Sequence, residues 1–243
     1  MKKGFLLFLA AIGCISFAIL FSSCGPPLSG KSTTVSREGT YFNSILIEAA
    51  VDCKVTVQPG TTPSVQLSGP DNMVKLIKTK IEDSVLHIYT DDHFRIDWSD
   101  EVKANIIVPS LASLDMSGAG NTDVMGDVTG ANLKLDMSGV GRLVLTSIHV
   151  TELIADVSGA GSIKIQSGTV QNAMYELSGT GSIDAFGAQH TVATTNVSGA
   201  GSINITALQK LTASISGVGN IRYKGHPVVS SDNSGVGKVT DAN

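Results

Sequence analysis

Seven copies of the tetrapeptide Ser-Gly-x-Gly begin at Ser117, Ser138, Ser158, Ser178, Ser198, Ser216 and Ser234, at successive spacings of 21, 20, 20, 20, 18 and 18 residues. Nothing else in the 243-residue chain limits its fold as much. The first glycines are Gly118, Gly139, Gly159, Gly179, Gly199, Gly217 and Gly235, and the second glycines are Gly120, Gly141, Gly161, Gly181, Gly201, Gly219 and Gly237. The flanks repeat as well. The residue before each Ser is Met116, Met137, Val157, Leu177, Val197, Ile215 or Asn233. Five residues after each Ser comes Thr122, Leu143, Ile163, Ile183, Ile203, Ile221 or Val239. Apolar residues at alternate positions on both sides of the corner predict two strands, each with one buried face. The two glycines of each corner are expected to allow positive φ, and the small residue between them is expected to point into the coil.

A unit of about 20 residues with two short strands cannot bury its apolar face alone, whereas stacked copies can. The expected fold is therefore all-β, a right-handed parallel β-helix of about seven rungs over residues 111–243. Successive rungs would rise by about 4.8 Å, the spacing between paired strands. A propeller blade needs about 40 residues and four strands, twice this unit. The six-residue period of a left-handed hexapeptide helix is not visible. The last unit is polar, with Asn233 at an otherwise apolar position, and reads as a terminal cap.

Residues 35–110 read as an N-terminal, mostly antiparallel β segment that covers the other end. Strand patterns run over 41–48, 51–58, 65–68, 85–90 and 102–108, with turn candidates at Pro59-Gly60 and Asp83-Ser84. Residues 73–81 fit a strand or a short helix equally well.

The start of the chain reads as an address. Lys2 and Lys3 precede an apolar run from Phe5 to Phe21, and Ser22, Ser23 and Cys24 follow. This is the pattern of a secretory signal over residues 1–23. Cys24 stands where a bacterial lipobox cysteine stands, so it is expected to become the first mature residue and carry the lipid. An ordinary signal peptide or an uncleaved anchor is the alternative. Several acyl chains hold a protein on a membrane far more firmly than one. The expected location is the cell envelope, at the outer membrane, and the sequence does not choose between its periplasmic and outer faces. Residues 24–34 have linker composition. Cys14 would leave with the signal, making Cys53 the lone free thiol; alternating with Val51, Val55 and Val57, it reads as a small buried hydrophobe.

Composition closes off several classes. A net charge of −4 leaves no electrostatic footprint for nucleic acid. With 42% apolar and only 16% charged residues, the chain is not disordered. Aromatics at 5% argue against an aromatic-lined cofactor pocket.

Together, the lipoprotein-like start, the lead-in ending Ile106-Ile107-Val108-Pro109 and the repeated Ser-Gly-x-Gly-x-Ile resemble the putative auto-transporter adhesin head GIN domain family. The likeness is sharpest at Gly201-Ser202-Ile203-Asn204, recurs more loosely at Gly161-Ser162-Ile163 and Gly181-Ser182-Ile183, and covers about residues 35–240. It implies a pectin-lyase-like β-helix in the envelope of Bacteroidota and a role in adhesion, with no catalytic motif to carry over. An auto-transporter would need a large membrane barrel. This sequence has none, and the Cys24 lipid is expected to anchor it instead.

Candidate chemistry is sparse. Two residues before their serines lie Asp115, Asp136, Asp156 and Glu176, which a β-helix would stack into a carboxylate column. Like charges that close repel, and Ca²⁺ would relieve them because it takes several oxygen ligands. A solvated outer face is the plainer reading and the favoured one, so no cofactor is assigned. A polysaccharide lyase would also need a base; Arg142 and Arg222 occupy different rung positions, and Lys164 is placed beside the column. That set is too scattered to name catalytic residues, and the expectation is a protein that is not an enzyme. His149 and His190 fall in return loops and are expected to face solvent. The serines lack a His/Asp partner and read as a turn device. The segment Asp91–Glu101 holds Phe94 and Trp98, either a contact for a glycan or protein or aromatics tucked onto the coil. The expected function is a lipid-anchored adhesin or interaction module for a glycan or another surface protein. The alternatives are a carbohydrate-binding module, a periplasmic structural protein and, last, a lyase.

Overall fold

The structure is a computed structural model and describes residues 31–38, 41–91 and 102–243. It is all-β, 75% strand, and forms a β-solenoid of about six turns with parallel strands. The seven Ser-Gly-x-Gly corners belong to its repeat region.

The elements follow in chain order: β1 (Ser32–Glu38), β2 (Ser44–Ile47), β3 (Asp52–Val57), β4 (Ser64–Pro70), the short helix α1 (Asp71–Val74), β5 (Ile77–Glu82), β6 (Val85–Thr90), β7 (Lys103–Val108) and β8 (Ser113–Met116). The repeat region supplies β9 (Ala119–Met137), β10 (Val140–Val157), β11 (Ala160–Ile165), β12 (Gly168–Leu177), β13 (Thr180–Val197), β14 (Ala200–Ile215), β15 (Val218–Lys224), β16 (Val228–Asn233) and β17 (Val236–Asp241).

Each repeat stacks on the one before it, equivalent residue against equivalent residue. Leu143 pairs with Ile163, Ile163 with Ile183, Ile183 with Ile203 and Ile203 with Ile221. On the other side of the corner, Met137, Val157, Leu177, Val197 and Ile215 form the matching column. All of these residues are buried. Alternation puts every second side chain inside, so the core is a set of aliphatic ladders one strand spacing apart. Their burial against the neighbouring rungs is what a single unit lacks.

The solenoid begins earlier than the serine repeats. β2 pairs in parallel with β8, and β3 with β9. The corner between β2 and β3, Glu48-Ala49-Ala50-Val51, therefore lies directly behind Ser117-Gly118-Ala119-Gly120. Beyond it, β6 and β7 form one more parallel layer on β2 and β3. Antiparallel pairing is confined to the end: β5 on β6, β4 on β7 and β1 on β4. The hairpin β5–β6 turns through Asp83 and Ser84 at φ 50° and 64°, the backbone of a two-residue type I′ turn. The ambiguous stretch 73–81 resolves into the end of α1 and then β5. Met73, Val74 and Ile77 are buried and close the apolar end of the coil.

At the far end β16 and β17 complete the last layer. There Val228 and Val236 are 76% and 70% exposed, and the Asn233 amide donates to the Gly237 carbonyl at 2.8 Å. Asn243 ties the terminus to Gly225 through its side chain. Asn233 and Asn243 thus place polar groups at the edge where another rung would stack, beside the partly buried Val229 and Val239.

Candidate functional site

The serine-glycine corners form one continuous edge of the solenoid. At each corner two successive N–H groups donate to one carbonyl of the rung behind. Ser138 and Gly139 donate to Met116 at 3.1 and 2.9 Å, and Ser198 and Gly199 to Leu177 at 2.9 and 3.0 Å. The next residue then donates to the preceding corner's first glycine, as Val140 does to Gly118 at 3.0 Å. Each corner thereby satisfies its backbone through the stack, as backbone groups shielded from water must.

The reason for glycine is space more than dihedral freedom. A Cβ at Gly139 would collide with the Gly118 carbonyl oxygen, and one at Gly179 with that of Gly159. The second glycines stack in the same way: Gly201 pairs with Gly219, and Gly219 with Gly237. A Cβ at Gly219 would meet the Gly201 carbonyl oxygen, and one at Gly237 that of Gly219. Positive φ, expected at every corner, holds at only two. Gly120 and Gly141 lie in the left-handed range, at 137° and 146°. Gly161, Gly181, Gly201, Gly219 and Gly237 do not, and there the close approach of the rung behind is what demands glycine.

The residue between the glycines points outward, contrary to expectation: Val140 is 60% exposed and Val218 59%. The strand alternation continues through the corner and carries this side chain to solvent. The serines also lie on the outside. The edge is a strip of small side chains and hydroxyls.

The carboxylate column forms in register on the strands leading into the corners. Asp115 pairs with Asp136, Asp136 with Asp156 and Asp156 with Glu176. Partial burial and then the neighbouring Asp136 hold the Asp115 carboxyl above its ordinary range; Asp156 is raised by burial and by Asp136 and Glu176 on either side. Lys134 stands 3.9 Å from Asp136. Among the described residues no group of three or more His, Cys, Asp or Glu side chains is arranged to hold a metal ion.

The basic residues singled out in the sequence lie elsewhere. Lys164 is not beside the column but on the opposite side of the corner, 3.5 Å from Asp184. Its position six residues after Ser158 puts it on the outgoing strand, whereas the acids are on the incoming one. Arg222 and Lys224 lie over the Phe186 ring at 5.8 and 4.8 Å. Arg142 sits on the outgoing side as well, paired in register with Ser162.

The histidines divide. His149 is exposed, with Nδ1 3.0 Å from the Thr169 hydroxyl. His190, expected in solvent, is fully buried. It occupies the column of Val150 and Val170 on the return strands, and the coil has room for it because the next rung offers only Ala207. Burial lowers its pKa to about 4. Cys53 is buried as expected, and burial pushes its thiol up to about 12, so it is inert as a nucleophile.

Cys24, Phe94 and Trp98 lie outside the described residues. In the sequence Phe94 and Trp98 fall between β6 and β7.

The return side of the coil holds a groove that sequence reading missed. Its volume is about 360 Å³, and Val150, Thr151, Thr169, Val170, Gln171, Gln189, Thr191 and Leu208 line it.

Comparison with known proteins fits this geometry. The family model described as putative auto-transporter adhesin, head GIN domain, matches residues 42–227. The crystal structure of a putative adhesin from Bacteroides fragilis is 28% identical, covers 90% of this chain and 100% of its own, and superposes with a TM-score of 0.86. A putative adhesin from Parabacteroides distasonis is 24% identical, with coverage of 88% and 98% and a TM-score of 0.70. A protein of the same organism titled a putative lipid binding protein is 22% identical, with the same coverage and a TM-score of 0.65. The last two share the fold alone. No curated protein matches the chain.

Proposed function

The chain belongs to the family described as putative auto-transporter adhesin, head GIN domain, and from that membership we propose that it is a lipid-anchored adhesive rod of the cell envelope, without catalytic activity. Cys24 carries the lipid at the outer membrane, residues 24–31 are the tether (shorter than the linker composition implied, because β1 already begins at Ser32 and pairs with β4), and the solenoid meets a glycan or another surface protein. The observation that carries this reading is the outward register of the stack. Each rung presents the same positions at the same faces, so a ligand that fits one rung meets its equivalent about 4.8 Å further on. Repeated weak contacts along an extended ligand gain avidity without any one of them being tight.

The acids and bases of the described residues favour the same reading over a lyase. The carboxylate column lies on the incoming strands, while Lys164, Arg142 and Arg222 lie on the outgoing ones; the one cation beside the column, Lys134, is an exposed ammonium 3.9 Å from Asp136. A general base must be within hydrogen-bond reach of the proton it removes.

The test is attachment by intact cells. Cells carrying the native protein should incorporate labelled palmitate into it and adhere to an immobilised glycan or cell-surface layer. The Cys24→Ala variant should lose the label, leave the membrane fraction and abolish the added adhesion. Equal adhesion by both strains would contradict the proposal.

A further inference from the structure

The groove on the return side lies beside a break in the register of the rod, and that break has a definite origin. The unit from Ser198 to Ser216 is 18 residues long, where the three before it are 20. The pairing of β13 with β14 absorbs the difference at two places. Ala185 and Gln189 pair with the consecutive residues Ile205 and Thr206, which leaves residues 186–188 without opposite numbers. His190 and Val192 pair with Ala207 and Lys210, which sets Leu208 and Gln209 against the single residue Thr191. That is a β-bulge, and bulges re-aim side chains and end regular surfaces. Leu208 is thrown outward, 45% exposed, and walls off the C-terminal end of the groove.

We propose that this groove is a binding site for a short stretch of neutral saccharide. Val150 and Val170, both nearly buried, lie at its base. Above them stand threonine hydroxyls and the amides of Gln171 and Gln189. None of the eight lining side chains carries a formal charge. Hydroxyls and amides each donate and accept hydrogen bonds, which is what a chain of sugar hydroxyls needs. The apolar patches at Val170 and Leu208 suit the C–H faces of a pyranose. Gln171 and Gln189 make no side-chain hydrogen bond among the described residues, and both are exposed, so their amides are free for a ligand. The volume lies at the low end of small-molecule sites. Its layers at Val150, Val170 and His190 extend about 10 Å at two strand spacings. An extended peptide would need a free strand edge to zip onto, and here β10, β12, β13 and β14 are paired with one another. An anionic polymer would find no cation in the lining.

The assignment rests on the adhesive reading for the ligand's source, a glycan chain, but not for its chemistry. The experiment uses the mature chain and a panel of uncharged oligosaccharides: cellotetraose, maltotetraose, mannotetraose and chitotetraose. Binding is followed by titration with amide and methyl NMR shifts. At least one of the four should bind, with shifts at Thr151, Thr169, Thr191 and Leu208. The exposed substitutions Gln171→Ala and Gln189→Ala, made together, should weaken it about tenfold or more while the melting temperature stays put, since each lost hydrogen bond costs roughly fivefold. Two results would overturn the site: no binding by any of the four, or binding whose shifts map elsewhere and that the double variant keeps. A charged oligosaccharide that binds the groove while the neutral ones do not would overturn the ligand class. Each of these leaves cell attachment, measured separately with Cys24→Ala, free to succeed or fail by itself.

Discussion

The Tyr175 hydroxyl donates to Nε2 of His190 across 2.7 Å inside the coil, while Nδ1 of the same ring donates to the Thr206 carbonyl at 2.9 Å. The carbonyl can only accept, so Nδ1 carries a proton, and burial, which lowers the pKa to about 4, keeps the ring neutral at pH 7 with Nε2 as the acceptor. The two rings meet edge to face at 79°. Small neighbours make the space: Tyr175 lies between Ala155 and Thr195 in its column.

This pair makes the rod acid-sensitive. His190 has a folded pKa of about 4 against an ordinary 6.5. Between those values the unfolded chain binds the proton and the folded chain does not. Stability is therefore full above 6.5 and falls as pH drops toward 4, by about 3 kcal/mol from this residue. Denaturant titrations at pH 7.5 and 4.5 should show the loss, and His190→Leu should flatten the slope over that interval. An unchanged slope in the variant would assign the acid sensitivity to other groups.

The corners should tolerate no Cβ on the first glycine. Gly139→Ala meets the Gly118 carbonyl, backbone against backbone, and should cost about 3 kcal/mol in a denaturant titration. Gly130→Ala has open space around it and should stay within about 0.5 kcal/mol of the native chain. Similar losses at both positions would mean that glycine serves chain flexibility, not stacking.

The carboxylate column should be a net cost at neutral pH. Asp156 has its carboxyl raised by burial and by two acidic neighbours. A raised folded pKa means stability is present at low pH and lost as the group ionises. Asp156→Asn should raise the melting temperature at pH 7 by about 1 °C, the scale of one like-charge pair. Excess Ca²⁺ and excess chelator should give the same melting temperature for the native chain. A clear rise with Ca²⁺ would show that the column binds the ion.

The terminal rung should keep the rods apart. Asn233 takes the place of the buried aliphatics and binds the Gly237 carbonyl. Open β edges with apolar ends associate. Asn233→Ile should make the mature chain self-associate in sedimentation velocity at concentrations where the native chain does not. An unaltered sedimentation profile would place the capping function in Asn243 and the other polar groups of that end.

The repeat was legible because side-chain alternation and a fixed unit length both survive in the letters. Even the buried His190 carried a signal, since it follows Val170 by one unit of 20 residues. What sequence alone could not show was stacking between segments that share no motif. Glu48-Ala49-Ala50-Val51 has neither the serine nor the glycines, yet it forms a corner, with Glu48 and Ala49 both donating to the Ile88 carbonyl. The layers also run out of chain order, β6–β7 lying outside β2–β3. The groove depended on a bulge at Leu208 that appears only when rungs of 20 and 18 residues are laid against each other. Lys164 was misplaced for a simpler reason: outward parity is shared by both sides of a corner, and only the fold tells them apart.

An adhesive rod must stand outside the cell, and protease added to intact cells reads its position. The protein should be lost from intact cells while a soluble periplasmic marker stays whole. Full protection until the cells are lysed would contradict adhesion and leave a periplasmic structural role.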